Sequence, residues 1–279
     1  MSSLLRIRQL YPRLALNERR LADFLLSQPD RARHLSSQKL AEESGVSQSS
    51  VVKFAQKLGY KGFPALKLAL SESLAARDAI TVHNHILSDD SLKTVGEKLL
   101  TEKLSAIRAT LDINSEEKLN ETLHLLKNAQ RIVLVGIGAS GLVAKDFSWK
   151  LMKIGINAVA EQDMHALLAS VQAMRPGDVL LAISYTGERK EINLAAQEAA
   201  QIGAYVLAFT GFTPNSLQQT ATHCLYTVAE EQSTRSAAIS STTAQLALTD
   251  LLFMALVQND PERAASHIRH SEALVKKLN

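Results

Sequence analysis

Between residues 131 and 228, short runs of β-branched and apolar residues alternate with segments of helical periodicity, and no other feature restricts the fold as much. The runs cover 131–136 (RIVLVG), 156–160, 178–184 (DVLLAIS), 205–210 (YVLAFT) and 224–228. They are continuously apolar rather than alternating, so they suit strands buried on both faces. Helical segments at 142–153, 165–174, 189–202 and 216–220 separate them, and a long helix follows at 237–258. Apolar strands alternating with helices make a parallel sheet with helices on both sides. The expectation is an α/β domain built on a five-stranded parallel sheet flanked by helices.

The N-terminal 75 residues carry only helical patterns. Leu4, Ile7, Leu10 and Tyr11 form a first apolar stripe, and a second helix from Leu16 stops before Gln28-Pro29. Residues 35–59 then read LSSQKLAEESGVSQSSVVKFAQKLG, two short helices around the turn Ser44-Gly45-Val46. Ser36 or Ser37 can cap the first and Ser47 the second through a side-chain oxygen. Gly45 tolerates the positive φ that ends a helix. Val51, Phe54 and Leu58 share one face of the second helix. Its opposite face carries Ser47, Gln48, Ser49, Ser50, Lys53 and Lys57. This is the layout of a helix-turn-helix, whose second helix enters the DNA major groove. Gln suits adenine, Ser a base or a phosphate, and Lys a phosphate. An ordinary helical hairpin with a polar face is the plainer alternative.

Charge separates the two readings. Residues 1–77 hold 13 Lys/Arg against 6 Asp/Glu, net +7, while the remainder holds 18 against 22, net −4. A basic module joined to a mildly acidic remainder suits a nucleic-acid binder attached to a sensor or an enzyme. A further helix spans about 64–76, residues 77–90 read as a linker, and 91–128 return to helix, packing through Leu92, Val95, Leu99 and Leu111. The expected division is 1–77, an all-α helix-turn-helix domain, 78–110, a linker and connecting helix, and 111–279, the α/β domain. The single cysteine, Cys224, allows no intrachain disulfide and reads as a small core residue. His83 and His85 lie in the linker without a third ligand nearby, so neither a metal nor another cofactor is expected. No apolar run approaches the roughly 20 residues that span a membrane. The N-terminus is not a signal peptide, and a cytoplasmic location is expected.

In sheets of this kind ligands bind at the carboxyl ends of the strands. There the first run ends in Gly136-Ile137-Gly138-Ala139-Ser140-Gly141 and the third in Ser184-Tyr185-Thr186-Gly187-Glu188-Arg189-Lys190, each opening a helix. Glycines allow close backbone approach, and hydroxyls, free N–H groups and a basic residue suit a phosphate. A dinucleotide fits less well. The third glycine is out of register, and the acidic residue expected after the second strand is either Glu161 or Asp163.

The segment SQSSVVKFAQKLGYKGFPALK resembles the RpiR family of bacterial transcriptional regulators, and the loops GIGASG and ISYTGERKE resemble the sugar isomerase (SIS) domain that the family carries. SWKLMKIG and TDLLFMALVQ resemble the branch of the family responsive to N-acetylmuramic acid 6-phosphate. The resemblance covers nearly the whole chain. It implies that Gly138 and Ser140 in the first loop and Ser184, Thr186 and Gly187 in the second hold the phosphate of a phosphosugar. It places Glu188 near the sugar, and Arg235 and Ser240 beside the ligand. Arg189 stands where the family usually has Thr or Ser, and either pairs with the phosphate or faces solvent.

The combined expectation is a DNA-binding regulator, a repressor of an operator in double-stranded DNA, controlled by a phosphosugar and working as a homodimer or homotetramer, with no membrane partner. The alternative is a phosphosugar isomerase or lyase with an accessory helical domain, for which Glu188, Glu191, His165 and His223 are available as bases. An isomerase has no need of a basic helix-turn-helix.

Overall fold

The computed structural model describes residues 3–75, 81–83, 85–161, 163–230 and 238–278. By packing, the chain forms two units. One runs to Ser105 and takes in Glu230, and the other holds Ala106 to Ala229 and the C-terminal helices.

The first unit opens with six helices: α1 Ser3–Leu10, α2 Leu16–Ser27, α3 Pro29–Ala32, α4 Ser37–Ser44, α5 Gln48–Lys57 and α6 Phe63–Ala75. Their ends follow from local chemistry. Pro29 opens α3 where a missing N–H costs nothing. The Ser36 hydroxyl accepts from Lys39 N–H to cap α4, and Ser47 accepts from Ser50 N–H to cap α5, both at 3.2 Å. Between them Gly45 takes φ +67°, and Val46 N–H donates to the Ala41 carbonyl at 2.9 Å. This closes α4 with a left-handed cap. The α5 stripe of Val51, Phe54, Ala55 and Leu58 is buried, and α5 packs on α2, α4 and α6.

The segment 77–90, read as a linker, holds a short hairpin in its described part. β1 Thr81–His83 and β2 Ile86–Leu87 pair antiparallel. Ile86 is buried, and Leu87 N–H donates to Asp90 at 2.7 Å. One apolar anchor inside a polar stretch gives no periodicity, which is why the pattern missed it. The two linker histidines have carboxylate partners, Glu102 for His83 and Glu230 for His85.

Helix α7 (Leu92–Ile113) is followed by α8 (Glu116–Asn128), so the expected continuous helix breaks at Asn114-Ser115. The change of packing unit falls inside α7. Of its expected packing residues, Leu92 is 91% and Leu111 38% exposed, which corrects those two, while Val95 and Leu99 are half-buried. The buried stripe is small and polar instead: Ala106, Ala109, Thr110 and Asn114. These polar side chains serve the sheet. Asn114 exchanges two 2.8 Å hydrogen bonds with the backbone of Tyr226, and the Thr110 hydroxyl accepts from Val228 N–H at 2.9 Å. Tyr226 lies on an edge strand, whose unpaired backbone groups are thereby satisfied without another strand.

The sheet comprises β3 Ile132–Gly136, β4 Ala158–Ala160, β5 Val179–Ser184, β6 Tyr205–Gly211 and β7 His223–Thr227, all parallel in the order β4-β3-β5-β6-β7. The intervening helices are α9 Ala139–Lys153, α10 Met164–Gln172, α11 Lys190–Ile202 and α12 Ser216–Thr220. Period-2 alternation distributes the strand side chains over two cores. Ile132, Leu134, Leu181, Ile183, Leu207 and Phe209 meet Phe147 of α9 and Leu248 and Leu252 of α13 (Ile239–Asn259). Val133, Val135, Leu180, Ala182, Val206 and Ala208 meet Leu167 of α10 and the alanine-rich face of α11.

Two further differences concern the C-terminus. Helix α14 (Pro261–Val275) lay outside the sequence reading, although Asp260-Pro261 announces it. The Asp260 carboxylate accepts from Arg263 N–H at 3.2 Å, and Pro261 sits in the first turn. Helix α13, at 21 residues, is long and apolar enough to cross a membrane, contrary to the expectation that no segment is. Its apolarity has a local cause, because Ala244, Leu248, Leu252 and Leu256 are buried in this unit.

Candidate functional site

The strand order places a topological switch point between β3 and β5. The chain leaves β3 toward β4 on one side, then returns to β5 on the other, and the crevice outside their carboxyl ends is where such sheets bind ligands. Gly136 and Ile183 are register partners across this pair. The glycine-rich loop and the Ser184–Arg189 loop therefore start side by side.

The first loop is a tight crossing of backbone on backbone. A Cβ on Gly136 would lie 2.4 Å from the Ser140 carbonyl oxygen, and one on Gly141 2.7 Å from the Gly136 carbonyl oxygen. Gly138 is different. It has φ +60° at the start of α9 with nothing near a Cβ, so the backbone there is open to a ligand. The Gly138 carbonyl accepts from the N–H of Gly141 and Leu142. The N–H groups of Ala139 and Ser140 have no acceptor within the helix, as in any first turn, and point a partial positive charge into the crevice.

The second loop is braced from beneath. The buried Ser184 hydroxyl accepts from Gly187 N–H at 3.2 Å, which leaves its own proton to donate. The exposed Thr186 hydroxyl accepts from Glu188 N–H at 3.4 Å. Gly187 has φ +67°, and a Cβ there would fall 2.0 Å from Asn215 Oδ1. Both carboxylate oxygens of Glu188, expected beside the sugar, are engaged by Ser216, one by its N–H at 2.9 Å and one by its hydroxyl at 2.6 Å. These bonds hold the carboxyl below its usual pKa. Arg189 is exposed at the N-cap of α11, with no ion pair to it among the described residues.

Ser140 reaches a partner that the sequence reading did not name. Its hydroxyl lies 3.2 Å from the side-chain amide of Gln245, a buried residue of α13. Ser240 is buried in the first turn of the same helix. Immediately before that turn Ala238 adopts φ +56°, the one positive φ of a non-glycine residue among those described. Arg235 lies outside the described residues. Among the described residues, three buried polar atoms with no partner occur in this half of the molecule: Asn193 Oδ1, Thr210 Oγ1 and Thr242 Oγ1. Thr210 is the register partner of Ser184. Native proteins leave few such groups, and those they leave call for an explanation. Gln245 was detectable only as a polar residue inside an apolar helix.

On the helix-turn-helix, the hydroxyls of Ser49 and Ser50 lie 2.9 and 2.8 Å from that of Ser47, and the Gln48 amide donates to Ser37 Oγ at 2.9 Å. Lys53 is exposed, with no ion pair to it among the described residues. Lys57 is not so placed. It bridges to Glu18 at 2.6 Å, and Glu18 also accepts from Ala15 N–H at 2.8 Å to start α2. Desolvation opposes the Glu18 charge, but these two hydrogen bonds and the lysine charge outweigh it and lower its pKa.

Comparison with known proteins assigns both halves. Residues 1–77 match the helix-turn-helix domain of the rpiR family, and residues 125–255 match the SIS domain. Over its whole length the chain is 66% identical to the whole of the uncharacterized HTH-type transcriptional regulator YfhH of Escherichia coli (strain K12). The chain belongs to the RpiR family of HTH-type transcriptional regulators. Among solved structures, the Vibrio vulnificus NanR protein complexed with ManNAc-6P aligns with all of this regulator and 99% of its own chain, at TM-score 0.66 and 23% identity. The sugar isomerase domain of an RpiR transcription factor from Sphaerobacter thermophilus aligns with 64% of the regulator and 98% of its own chain, at TM-score 0.59 and 20% identity. At these identities the two structures speak to fold.

Of the regulator's candidate bases for an isomerase, Glu188, Glu191 and His165 follow the carboxyl ends of β5 and β4, and His223 alone lies at the other end. His223 opens β7, at the amino end of the sheet, where it is held by Glu121 and the Lys118 carbonyl. Asp163 spends its carboxylate capping α10 through two 2.9 Å bonds. That answers the dinucleotide reading as far as Asp163 is concerned, since a capping carboxylate is not free for a ribose.

Proposed function

We propose that the regulator senses a phosphosugar at the β3/β5 switch point and answers with a change in operator binding. The observation that carries this reading is the side-by-side start of two loops suited to an anion. The phosphate is taken by the N–H groups after Gly138 and the hydroxyls of Ser140, Ser184 and Thr186, while Gly187, expected to touch it, has its N–H donated to Ser184 and serves to shape the loop. Arg189 closes over it, replacing a hydroxyl by a bidentate cation. Ser240 and Gln245 face the sugar. Glu188 acts at one remove, by holding the second loop to α12. The bound phosphosugar in NanR supports the choice of ligand class. A thermal-shift screen of phosphosugars against the full chain tests it. A saturable rise in the unfolding midpoint supports the site by mass action, whereas sugars and phosphosugars that all fail to stabilise the protein refute it.

The SIS domain acts here as a sensor without turnover. Of the base candidates, His223 lies at the amino end of the sheet and the Glu188 carboxylate is held by Ser216, while the basic helix-turn-helix needs an input. DNA in turn places the protein in the cytoplasm. An exposed apolar stripe on α9 and α13, with Leu142, Trp149, Met152 and Met254 between 49% and 65% exposed, supports pairing of two copies, because patches of this kind mark interaction sites. Paired copies present two recognition helices to a pseudopalindromic operator. Sedimentation as a monomer at micromolar concentration would exclude this arrangement.

On DNA, Ser47, Gln48, Ser49 and Ser50 meet base edges or phosphates, and Lys53 meets phosphate. Lys53→Ala is expected to weaken binding to all sequences and to lower the slope of log K against log salt by about 0.9 per protomer. Lys57→Ala, which removes a side chain already paired with Glu18, is expected to leave that slope nearly unchanged. Equal slopes for Lys53→Ala and the wild type would remove Lys53 from the DNA surface.

A further inference from the structure

We infer that Ser37, on the first helix of the helix-turn-helix, is a positioning residue that sets Gln48 for reading adenine. The inference rests on the proposed role of Gln48 at the base edges. Both residues stand at the first position of their helices, Ser37 on α4 and Gln48 on α5. Capping is already done by their neighbours: Ser36 accepts from Lys39 N–H and Ser47 from Ser50 N–H. The Ser37 hydroxyl is therefore free of the usual duty of a serine at a helix start. It accepts instead from the Gln48 amide nitrogen at 2.9 Å, across 11 residues of sequence.

The chemistry of that bond restricts what Gln48 can present. A primary amide carries two N–H donors and one oxygen with two lone pairs. One N–H is committed to Ser37. The other N–H and Oε1 remain as a donor beside an acceptor, the pair that matches adenine N7 and N6–H in the major groove. An unheld glutamine at an exposed helix start is free about three side-chain torsions. It loses that freedom on binding, and its amide can also turn to offer other donor and acceptor patterns. The hydrogen bond to Ser37 removes much of this freedom before DNA arrives, so it favours the base that the remaining edge fits. Ser49 and Ser50 are held in a comparable way by Ser47. The start of α5 is thus organised in advance, while Lys53, one turn further on, is not.

The test uses the full chain. Selection from randomised duplexes defines the preferred site of the wild type, and binding is then measured to that site and to its single-base variants. Gln48→Ala is expected to reduce the preference for adenine at one position of each half-site by about tenfold or more. Ser37→Ala is expected to reduce it at the same position by a smaller factor. It should leave the other positions, binding to non-specific duplex and the salt slope as in the wild type. Ser37→Thr, which keeps the hydroxyl, should restore the preference, and Ser37→Ala should add nothing in a Gln48→Ala background. Uniformly weaker binding with a shallower salt slope in Ser37→Ala would make Ser37 a phosphate contact and overturn the inference. So would an unchanged preference in Ser37→Ala when Gln48→Ala has lost it. If Gln48→Ala itself keeps the preference, the base-reading role of Gln48 falls first, and the role of Ser37 with it.

Discussion

Gly136→Ala is expected to destabilise the sheet unit by about 3 kcal/mol, near the upper end for forced overpacking, and to lower its thermal midpoint by roughly 6–12 °C. The added methyl would sit 2.4 Å from the Ser140 carbonyl oxygen and 2.8 Å from the Gly141 nitrogen. Both are backbone atoms of the first turn of α9, so no side chain can swing aside to make room. Relief requires the turn itself to open. That also displaces the N–H groups of Ala139 and Ser140, so phosphosugar binding should fall with stability. Gly138→Ala is the control. Its Cβ meets nothing within 4 Å, and the cost is a backbone at φ +60°, ψ −128°, a positive-φ conformation outside the left-handed helical region that favours glycine, about 1–3 kcal/mol. Calorimetry of the two variants measures the difference. A Gly136→Ala midpoint at or above that of Gly138→Ala would show that the loop does not cross itself as described.

The joint replacement Ser184→Ala and Thr186→Ala is expected to weaken phosphosugar binding by at least about a hundredfold, because hydrogen bonds to a charged group contribute about 1.5–3 kcal/mol each. Operator affinity without effector should remain that of the wild type, since neither residue belongs to the unit that carries α4 and α5. The two hydroxyls should not contribute equally. Ser184 also supports Gly187 N–H from a buried position, so its loss disturbs the loop as well as the contact. Thr186 is exposed and supports Glu188 N–H only through a long 3.4 Å bond, so its removal takes away chiefly the contact. Titration calorimetry with a phosphosugar that stabilises the wild type measures both effects. Retained affinity in the double variant would move the site away from this loop, and lost operator binding would show that the substitutions damage more than the sensor.

The legible parts of this protein are those where one local pattern has one physical solution. The run of five apolar strands with intervening helices determined a doubly covered parallel sheet. Ser36, Gly45 and Ser47 determined where α4 ends and α5 begins, because caps and left-handed turns depend on residues within one turn of each other. The glycines and hydroxyls of the two loops marked them as suited to an anion for the same reason. Composition alone separated the basic third from the rest.

Tertiary structure decided what depends on partners distant in sequence. Strand order, and with it the switch point that brings Gly136 beside Ile183, is a property of how β3, β4 and β5 pair, and no single strand carries it. Lys57 looks like a phosphate contact until Glu18, 39 residues away, is found beside it. Glu188 looks like a sugar contact until Ser216 occupies its carboxylate. Leu92 and Leu111 suggested packing, yet α7 turns Ala106 and Thr110 inward, with Asn114 just past its end, because the edge of the sheet needs hydrogen-bonding groups there more than apolar bulk. Periodicity reports which face of a helix can be buried. Which face is buried, and which charge remains free, depends on the rest of the chain.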